Sequence, residues 1–345
     1  MNYNFSDYFV LSSSCVITKG YNRSLIHDFS RNSSNLISNE YFDLIEYLDR
    51  KKIEDVILEV EDDSKEFFFD FLNFMFHNEY ALFVNDIELF PAKSDELYDS
   101  HVILKDCIIE VDNYSDIELF DNNLNQLDLL NCENLQIWIK GSINYSDIVK
   151  YLDRINIYDF LCVELCLENS FNIDRKNLIE IIDKYASISK IFLFNSNDAY
   201  IYEYISEHEN QHPMLMGQII YINHPLDANN CGVINFETLS FGVETQYKIN
   251  KKFNGCLYKK LVIDNKGNIK NCPYIKNKVH YKNLTDALSD NEFKKLWFIK
   301  KDDIEICKDC EFRYNCTDCR AFTIENNVYS KPLKCNYNPY TNEWN

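Results

Sequence analysis

The feature that most constrains this chain is the crowding of cysteines near its C-terminus. Seven of its 13 cysteines lie between residues 256 and 335. They are Cys256, Cys272, Cys307, Cys310, Cys316, Cys319 and Cys335. A two-residue gap, as in Cys307-x2-Cys310, lets both sulfurs of one turn face the same metal centre, and distant thiols complete each site. We therefore predict that residues 256–335 form a cysteine-ligated metal module.

The spacing alone leaves the metal open, because Cys-x2-Cys pairs serve tetrahedral zinc as well as iron-sulfur clusters. Disulfides are disfavoured by the expected compartment. The N-terminus lacks a basic start and an apolar stretch, so we predict no secretory signal, and no apolar run is long enough for a membrane span. We expect a soluble cytoplasmic protein, in which thiols stay reduced.

The other cysteines have a simpler interpretation. A single Cys in an apolar segment is usually a small buried hydrophobe, and this is what we predict for Cys15, Cys107, Cys132, Cys162 and Cys166. Cys231 has two interpretations, a buried hydrophobe or a spare ligand.

The net charge excludes one class of partner. The chain carries a formal charge of -20 at pH 7. Binding to phosphate backbones or anionic membranes depends on Lys and Arg side chains that neutralise phosphates. We therefore expect neither nucleic acid nor a membrane surface as a partner.

Residues 1–95 are predicted to form a small winged-helix-like unit. Short apolar runs at 8–11 and 15–18 predict strands. Helical spacing predicts helices over 40–48, capped by Ser38 or Asn39, and over 64–78, and a strand follows at 80–84. The aromatic run 67–71 is predicted to be core, and the acidic run Glu61-Asp62-Asp63 a solvated loop.

Residues 96–250 alternate apolar strands with helical stretches. The predicted strands cover 107–111, 135–139, 162–167, 191–194 and 219–222, with helices over 145–155 and 175–186. Repeated βα units indicate a largely parallel sheet. Five or so strands favour an α/β domain built as a partial (βα) barrel or an open sheet over a closed barrel.

Residues 251–345 form the cysteine-rich module, which begins with a hairpin. The segment 261–269 reads as two strands around a turn at Asn265-Lys266-Gly267. Such a hairpin brings Cys256 and Cys272 toward the same end.

The order Cys256, Gly267-x4-Cys272, Cys307-x2-Cys310-x5-Cys316-x2-Cys319 and Cys335 resembles the SPASM domain, the auxiliary-cluster module of radical S-adenosylmethionine peptide-modifying enzymes. The usual pattern has three residues before the sixth cysteine, whereas this chain has two. The runs Cys310 to Phe322 and Cys335-Asn336-Tyr337-Asn338-Pro339-Tyr340 resemble the SPASM-domain peptide maturases of grasp-with-SPASM systems.

The resemblance implies two 4Fe-4S clusters, a ribosomally made precursor peptide and a partner ATP-grasp ligase. It assigns Cys307, Cys310, Cys316 and Cys335 to one cluster. It assigns Cys256, Cys272 and Cys319 to another, whose fourth ligand is open. It also implies that residues 1–95 bind the precursor.

The chain departs from radical S-adenosylmethionine enzymes in one respect. These enzymes bind S-adenosylmethionine through a Cys-x3-Cys-x2-Cys triplet after the first barrel strand, and the sequence contains no such triplet. At the corresponding place it reads Asp112-Asn113-Tyr114-Ser115-Asp116-Ile117. No catalytic residue can be assigned, so whether the protein is an enzyme stays open.

Three functional hypotheses follow. The first is a maturation protein that binds the precursor and acts with the ligase. The second is an adaptor whose zinc or iron-sulfur sites are only structural. The third is an electron-transfer protein. His208 and His212, four residues apart, are a weak metal-site candidate because Pro213 ends any helix there.

Overall fold

The structure is a computed structural model. It describes residues 4–93, 101–112, 115, 117–141, 144–168, 173–205, 216–275 and 281–344. His208 and His212 lie outside the described residues, as do Asn113, Tyr114 and Asp116.

The N-terminal unit places a small antiparallel sheet before its helices. Its elements are β1 Tyr8–Leu11, β2 Cys15–Lys19, β3 Arg23–Asp28, β4 Ser33–Ser38, α1 Asn39–Leu48, α2 Ile53–Ile57, α3 Lys65–His77 and β5 Ala81–Val84. Strands β2, β3 and β4 form a three-stranded sheet, and β1 pairs antiparallel with β5. The strands and helices predicted for this unit are present. Strands β3 and β4 and helix α2 had not been predicted.

Local sequence explains the predicted elements. Helix α1 begins where the Ser38 hydroxyl accepts a hydrogen bond from the Tyr41 N–H at 3.3 Å, which satisfies a free amide of the first turn. In α3 the side chains of Phe68 and Phe71 are buried as predicted, whereas Phe67 is 44% exposed, because successive helix positions point in different directions. Strand β4 was missed because Ser33-Ser34-Asn35 carries few β-forming residues, so only its pairing with β3 makes it a strand.

The central region is a mixed α/β structure with a mostly parallel sheet, as predicted. Its strands are β6 Asp106–Val111, β7 Asn134–Ile139, β8 Cys162–Glu168, β9 Ile188–Phe194, β10 Tyr200–Ile205 and β11 Met216–Tyr221. Its helices are α4 Ile117–Leu129, α5 Tyr145–Ile155 and α6 Arg175–Lys184. Helix α4 had not been predicted, because its Asn and Asp residues are weak helix formers.

The C-terminal region is mostly short turns. Its elements are α7 Glu244–Lys252, β12 Lys260–Ile263, β13 Ile269–Lys270, α8 Leu284–Ser289, α9 Asn291–Lys294, β14 Tyr337–Asn338 and β15 Glu343–Trp344. The predicted hairpin is present, since β12 pairs antiparallel with β13 and Gly267 takes a φ of +73° in its turn. Among the described residues, no helix is long and apolar enough to cross a membrane.

The hairpin also extends the central sheet. The strand order of this eight-stranded sheet is β10-β11-β9-β8-β7-β6-β12-β13, and β12 runs parallel to β6. The sheet therefore crosses the boundary expected between residues 250 and 251. This join places the first part of the cysteine-rich region against the central sheet.

The two faces of the sheet differ. Helices α4, α5 and α6 cover one face, where residues such as Ile137 and Leu165 pack against helical residues such as Leu124 and Leu152. On the opposite face a smaller apolar cluster contains no residue of these helices. Its buried members are Ile108, Trp138, Cys166, Phe194 and Val262. Polar side chains surround this cluster on the same face.

The N-terminal unit packs against the C-terminal region. The Arg23 guanidinium donates to the buried Glu311 carboxylate at 2.7 Å, and the Thr18 and Tyr247 hydroxyls are 2.9 Å apart. Leu25 of β3 belongs to an apolar cluster that includes Phe312 and Cys316. The unit thus lies beside part of the cysteine-rich region.

Candidate metal centres

The predicted cysteine ligands are free thiols, and all of them are buried or half-buried. We group them by which thiols affect each other's ionisation, and the two groups are not isolated, because burial raises the pKa of Cys256 and the charge of Cys316 adds to this shift. The first cysteine group is Cys307, Cys310, Cys316 and Cys335. The second cysteine group is Cys231, Cys256, Cys272 and Cys319.

Neither group is drawn together as a closed site. Among the described residues, no three or more His, Cys, Asp or Glu side chains converge tightly enough to hold a single metal ion. The two groups are therefore sets of nearby thiols and not preformed metal sites.

Two consecutive 3-10 turns position the first cysteine group. The turn Cys307–Asp309 lets the Cys310 N–H donate to the Cys307 carbonyl at 3.1 Å. The second turn, Arg313–Asn315, leads directly to Cys316. Ile306, just before the first turn, has a φ of +66°, which is unfavourable for a β-branched residue. Such strain costs about 1–3 kcal/mol and tends to occur at functional sites.

The thiols of the first cysteine group affect one another. Burial raises the pKa of Cys307 to about 12, and the charges of Cys316 and Cys335 add to this shift while that of Lys301 opposes it. Burial also raises the pKa of Cys310 and of Cys335, with a further contribution from Cys316. Since metals bind thiolates, a metal here must displace protons from these thiols.

The second cysteine group combines distant segments. Cys256 follows α7, and its N–H donates to the Asn254 side-chain oxygen at 3.2 Å. The β12–β13 hairpin then returns the chain to Cys272, which is buried against the central sheet. Cys319 comes from the end of the Cys-x2-Cys pair that it forms with Cys316. The sequence predicted that the hairpin would bring Cys256 and Cys272 toward the same end; the hairpin is present, and the charge of Cys256 adds to the effect of burial in raising the pKa of Cys272.

Cys231 is the member that the sequence treated only as a spare ligand. Burial raises its pKa to about 11, and the charges of Cys256 and Cys319 contribute to the shift. Burial likewise raises the pKa of Cys272 to about 12, with contributions from Cys256, Cys231 and Cys319. Cys256 and Cys319 therefore affect the ionisation of both Cys231 and Cys272. Cys231 lies 25 residues before Cys256 and is not part of the SPASM pattern. The sequence therefore offered it only as a spare ligand.

A buried ionic network lies between the two groups. Asp318, which directly precedes Cys319, accepts hydrogen bonds from Lys301 at 2.9 Å, Arg320 at 2.7 Å and Asn254 at 2.7 Å. Burial alone would raise the pKa of Asp318, but the charges of Lys301 and Arg320 lower it. The carboxylate is therefore held ionised between two buried cations. It ties the loop before Cys319 to the turn before Cys256.

Lys260 links the second cysteine group to a cavity on the helix-free face of the sheet. Burial would lower its pKa, but the charges of Cys256, Asp106 and Cys272 raise it. The cavity has a volume of about 380 Å³. Its polar lining side chains are Asp106, Asn134, Gln136, Glu164 and Lys260. The alternating sequence predicted the strands but gave no sign that helices α4, α5 and α6 would all pack on the opposite face of the sheet.

A buried hydroxyl faces the same group. The Tyr274 hydroxyl has no hydrogen-bond partner among the described residues. Burial raises the pKa of Tyr274, and the charges of Cys231, Glu110, Asp227 and Cys272 contribute to this shift. An unpartnered buried donor is costly, and the sulfur of a bound metal centre would give it an acceptor. The residues therefore fit an iron-sulfur cluster or a thiolate-bound zinc ion.

The remaining cysteines agree with the buried-hydrophobe prediction, with one exception. Cys15, Cys107, Cys132 and Cys166 are buried. Cys162 is only half-buried, and its sulfur lies 2.9 Å from the Ser189 hydroxyl. The acidic run 61–63 is exposed, as predicted, but Asp62–Ser64 form a 3-10 turn instead of a loop, and Asp62 pairs with Lys65.

No protein-family model matches the chain, and no curated protein matches it. Among solved structures it is similar to Streptococcus suis SuiB bound to S-adenosylmethionine, with 10% identity over 94% of this chain and 98% of that chain and a TM-score of 0.38. For SuiB bound to the precursor peptide SuiA, the identity is 8% over 91% and 96%, and the TM-score is 0.33. At these values the similarity establishes neither a family nor an activity for this chain.

Proposed function

We propose that this chain is a maturation protein for a ribosomally synthesised peptide, with residues 251–345 as a SPASM module that holds two 4Fe-4S clusters. In this proposal it binds the precursor through residues 1–95 and acts with an ATP-grasp ligase, while residues 96–250 form a degenerate radical-S-adenosylmethionine-like domain. One observation carries the proposal. The seven C-terminal cysteines are free thiols that are buried or half-buried, and their order along the chain resembles that of the SPASM domain.

The residues would act as follows. The first cysteine group would hold one cluster, and Cys256, Cys272 and Cys319 would hold the other. When bound, such clusters supply one-electron transfer or structural support. The Asp318 network fixes the loop that carries Cys319, and Lys260 provides positive charge beside the second cysteine group, where cluster thiolates need compensation. Tyr274 can donate a hydrogen bond there.

The N-terminal unit offers an edge for a peptide strand. In the sheet order β2-β3-β4, β4 has β3 as its strand partner within the described residues. An extended peptide can add to such an edge through main-chain hydrogen bonds. Leu36 on this strand is 45% exposed and gives an added peptide an apolar contact. This unit packs against residues 251–345 through the Arg23–Glu311 ion pair. A precursor peptide bound at β4 would therefore lie beside the part of the chain that carries the cysteines.

The metal part of the proposal is tested on protein purified under anaerobic conditions. We expect a brown protein with broad absorbance and equal amounts of iron and acid-labile sulfide, close to eight of each per chain for two 4Fe-4S clusters. A colourless protein that carries zinc without sulfide would instead support the adaptor.

The peptide part is tested by binding the precursor encoded nearest this gene to the Leu36→Asp variant. A buried charge at the added strand should weaken binding about tenfold, which corresponds to about 1.4 kcal/mol. Leu58→Asp is the matched control, because Leu58 lies in the same unit, is 86% exposed and is outside the sheet. Equal affinities for both variants and the wild type would refute binding at β4.

The adaptor hypothesis is the second candidate, and one observation favours it. Around the first cysteine group the described chain consists of short 3-10 turns with no long helix or strand. Bound metal contributes folding free energy directly in such regions. If chelation unfolds residues 299–335 without changing precursor or ligase binding, the sites are structural.

A further inference from the structure

We propose that Cys231 is the fourth protein ligand of the site formed by Cys256, Cys272 and Cys319. This inference rests on the proposed metal module but goes beyond it, because the SPASM resemblance supplies only three ligands for this site. The assignment follows from the position of the loop that carries Cys231, from the lysine that anchors this loop and from a glycine next to Cys231.

The loop before Cys231 is held in place by its own hydrogen bonds. The Asp227 carboxylate accepts from the N–H groups of Asn229 at 2.9 Å and Asn230 at 3.1 Å. The Cys231 N–H donates to the Asp227 carbonyl at 3.3 Å. Cys231 therefore lies at the end of a hydrogen-bonded turn, which fixes the position of its backbone.

A lysine attaches this loop to the segment that carries Cys335. The Lys334 ammonium donates to the carbonyl oxygens of Asn229 at 3.0 Å and Cys231 at 2.8 Å. The Ile234 N–H in turn donates to the Lys334 carbonyl at 3.1 Å, and Ile234 forms a parallel bridge with Cys335. The loop is thus anchored on the cysteine-rich region, although it precedes that region in sequence.

Gly232 shows how closely the loop approaches the second cysteine group. Its φ is +73°, a conformation that other residues adopt at a cost. A Cβ at this position would lie 2.6 Å from the Cys319 sulfur and 3.3 Å from the Phe322 ring. Only a glycine lets the backbone lie against that sulfur. The residue next to Cys231 is therefore in direct contact with one of the three ligands implied by the resemblance.

The charges around the four thiols suit a tetrathiolate site. The Lys334 ammonium donates to the Cys231 carbonyl at 2.8 Å, and Lys260 lies at the start of β12, four residues after Cys256. The buried Tyr274 hydroxyl, two residues after Cys272, has no partner within the described part of the chain and can donate to a sulfur of the site. Two cations and a donor thus face a group of thiols that becomes negative when it binds metal.

The assignment changes the chemistry that this site can perform. With three protein ligands, one metal position is left for a water or a substrate group. With Cys231 as the fourth, all positions are occupied and the centre is restricted to structural support or electron relay. A peptide would then not bind directly to this metal centre.

The test compares Cys231→Ala with Cys319→Ala in the full-length protein, with Cys162→Ala as the control. Cys162 is half-buried like Cys231 but lies in neither cysteine group. We expect Cys231→Ala and Cys319→Ala to lose the same cluster, about half of the iron and sulfide, and to leave identical Mössbauer and electron paramagnetic resonance spectra. Cys162→Ala should match the wild type. Full iron and an unchanged spectrum in Cys231→Ala would overturn the assignment.

A second measurement avoids variants that fail to fold. Wild-type protein is alkylated before and after chelation, and the modified thiols are identified by mass spectrometry. We expect Cys231 to be protected until chelation, together with Cys256, Cys272 and Cys319, while Cys162 reacts equally in both samples. Equal labelling of Cys231 in both samples would refute ligation.

The two proposals fail in different ways. If the wild type carries zinc without sulfide, the iron-sulfur proposal is wrong. In that case a zinc content of Cys231→Ala about half that of the wild type would still support the ligand assignment. If the wild type carries both clusters and Cys231→Ala keeps both, the ligand assignment alone is wrong. If the wild type binds neither metal, both are wrong.

Discussion

The two cysteine groups differ in how the chain assembles them. The first cysteine group comes from one segment, residues 307–335, in which successive 3-10 turns present the thiols. The second cysteine group takes its members from a loop before α7, the turn before β12, the end of the β12–β13 hairpin and the Cys319 loop. A site built from one segment can be recognised by spacing. A site built from four segments depends on how those segments pack.

The Asp318 network connects the loop that carries Cys319 to Lys301 and Asn254. Removing the charge of Asp318 should cause the largest loss of stability among the variants considered. Asp318→Asn leaves Lys301 and Arg320 as buried cations without their shared counterion. Breaking a buried ion pair on one side destabilises a protein by about 3–5 kcal/mol. We expect a loss of this size in the free energy of unfolding, measured by denaturant titration, with impaired metal loading at both groups.

Asp62→Asn is the matched control, because the Asp62–Lys65 pair is exposed and should leave the unfolding midpoint unchanged. If the Asp318→Asn midpoint equals that of the control, the network does not join the two groups.

The second prediction separates the groups by their metal content. Cys335→Ala should remove about half of the iron, so that only the spectrum of the second centre remains. It should also lower the unfolding midpoint, because a turn-rich segment loses a metal anchor. Cys319→Ala should remove the other half and leave the spectrum of the first centre. Mössbauer spectra of the two variants decide the matter. The same residual spectrum in both would contradict the division into two groups.

The third prediction concerns the contact between Gly232 and Cys319. Gly232→Ala introduces a side chain at a positive φ, which costs about 1–2 kcal/mol, and pushes against the Cys319 sulfur. We expect a modest loss of stability and a specific loss of metal from the second cysteine group.

Gly242→Ala provides the comparison, since a Cβ at Gly242 would meet no atom within 4 Å. Metal analysis and thermal unfolding of both variants distinguish the two positions. Retention of the full metal content by Gly232→Ala would show that the loop tolerates displacement from Cys319.

The last prediction is that the protein does not cleave S-adenosylmethionine. Neither cysteine group has the Cys-x3-Cys-x2-Cys spacing, and the sequence contains no such triplet elsewhere. We expect chemically reduced protein to form no 5′-deoxyadenosine above a buffer control, measured by chromatography. Product that scales with protein concentration, and that disappears in Cys319→Ala, would show that the second centre has an open metal position after all.

Local patterns in the sequence determined much of this protein. Apolar periodicity predicted α5, α1 and the strands β6 to β9, because these segments bury one face whatever lies next to them. The Asn265-Lys266-Gly267 turn predicted the hairpin. The Cys-x2-Cys spacing predicted a metal module and, through its resemblance to the SPASM domain, the membership of the first cysteine group.

Only the tertiary structure decided the rest. Strand β4 exists because β3 pairs with it, and α4 because its few apolar residues meet the sheet, so neither is encoded by local propensity. The insertion of β12 beside β6, the uncovered polar face and the buried Asp318 network arise from contacts across tens of residues. Cys231 is the sharpest case. Its neighbours Cys256, Cys272 and Cys319 lie 25 to 88 residues away in sequence, and only packing of the loop at Gly232 brings them together.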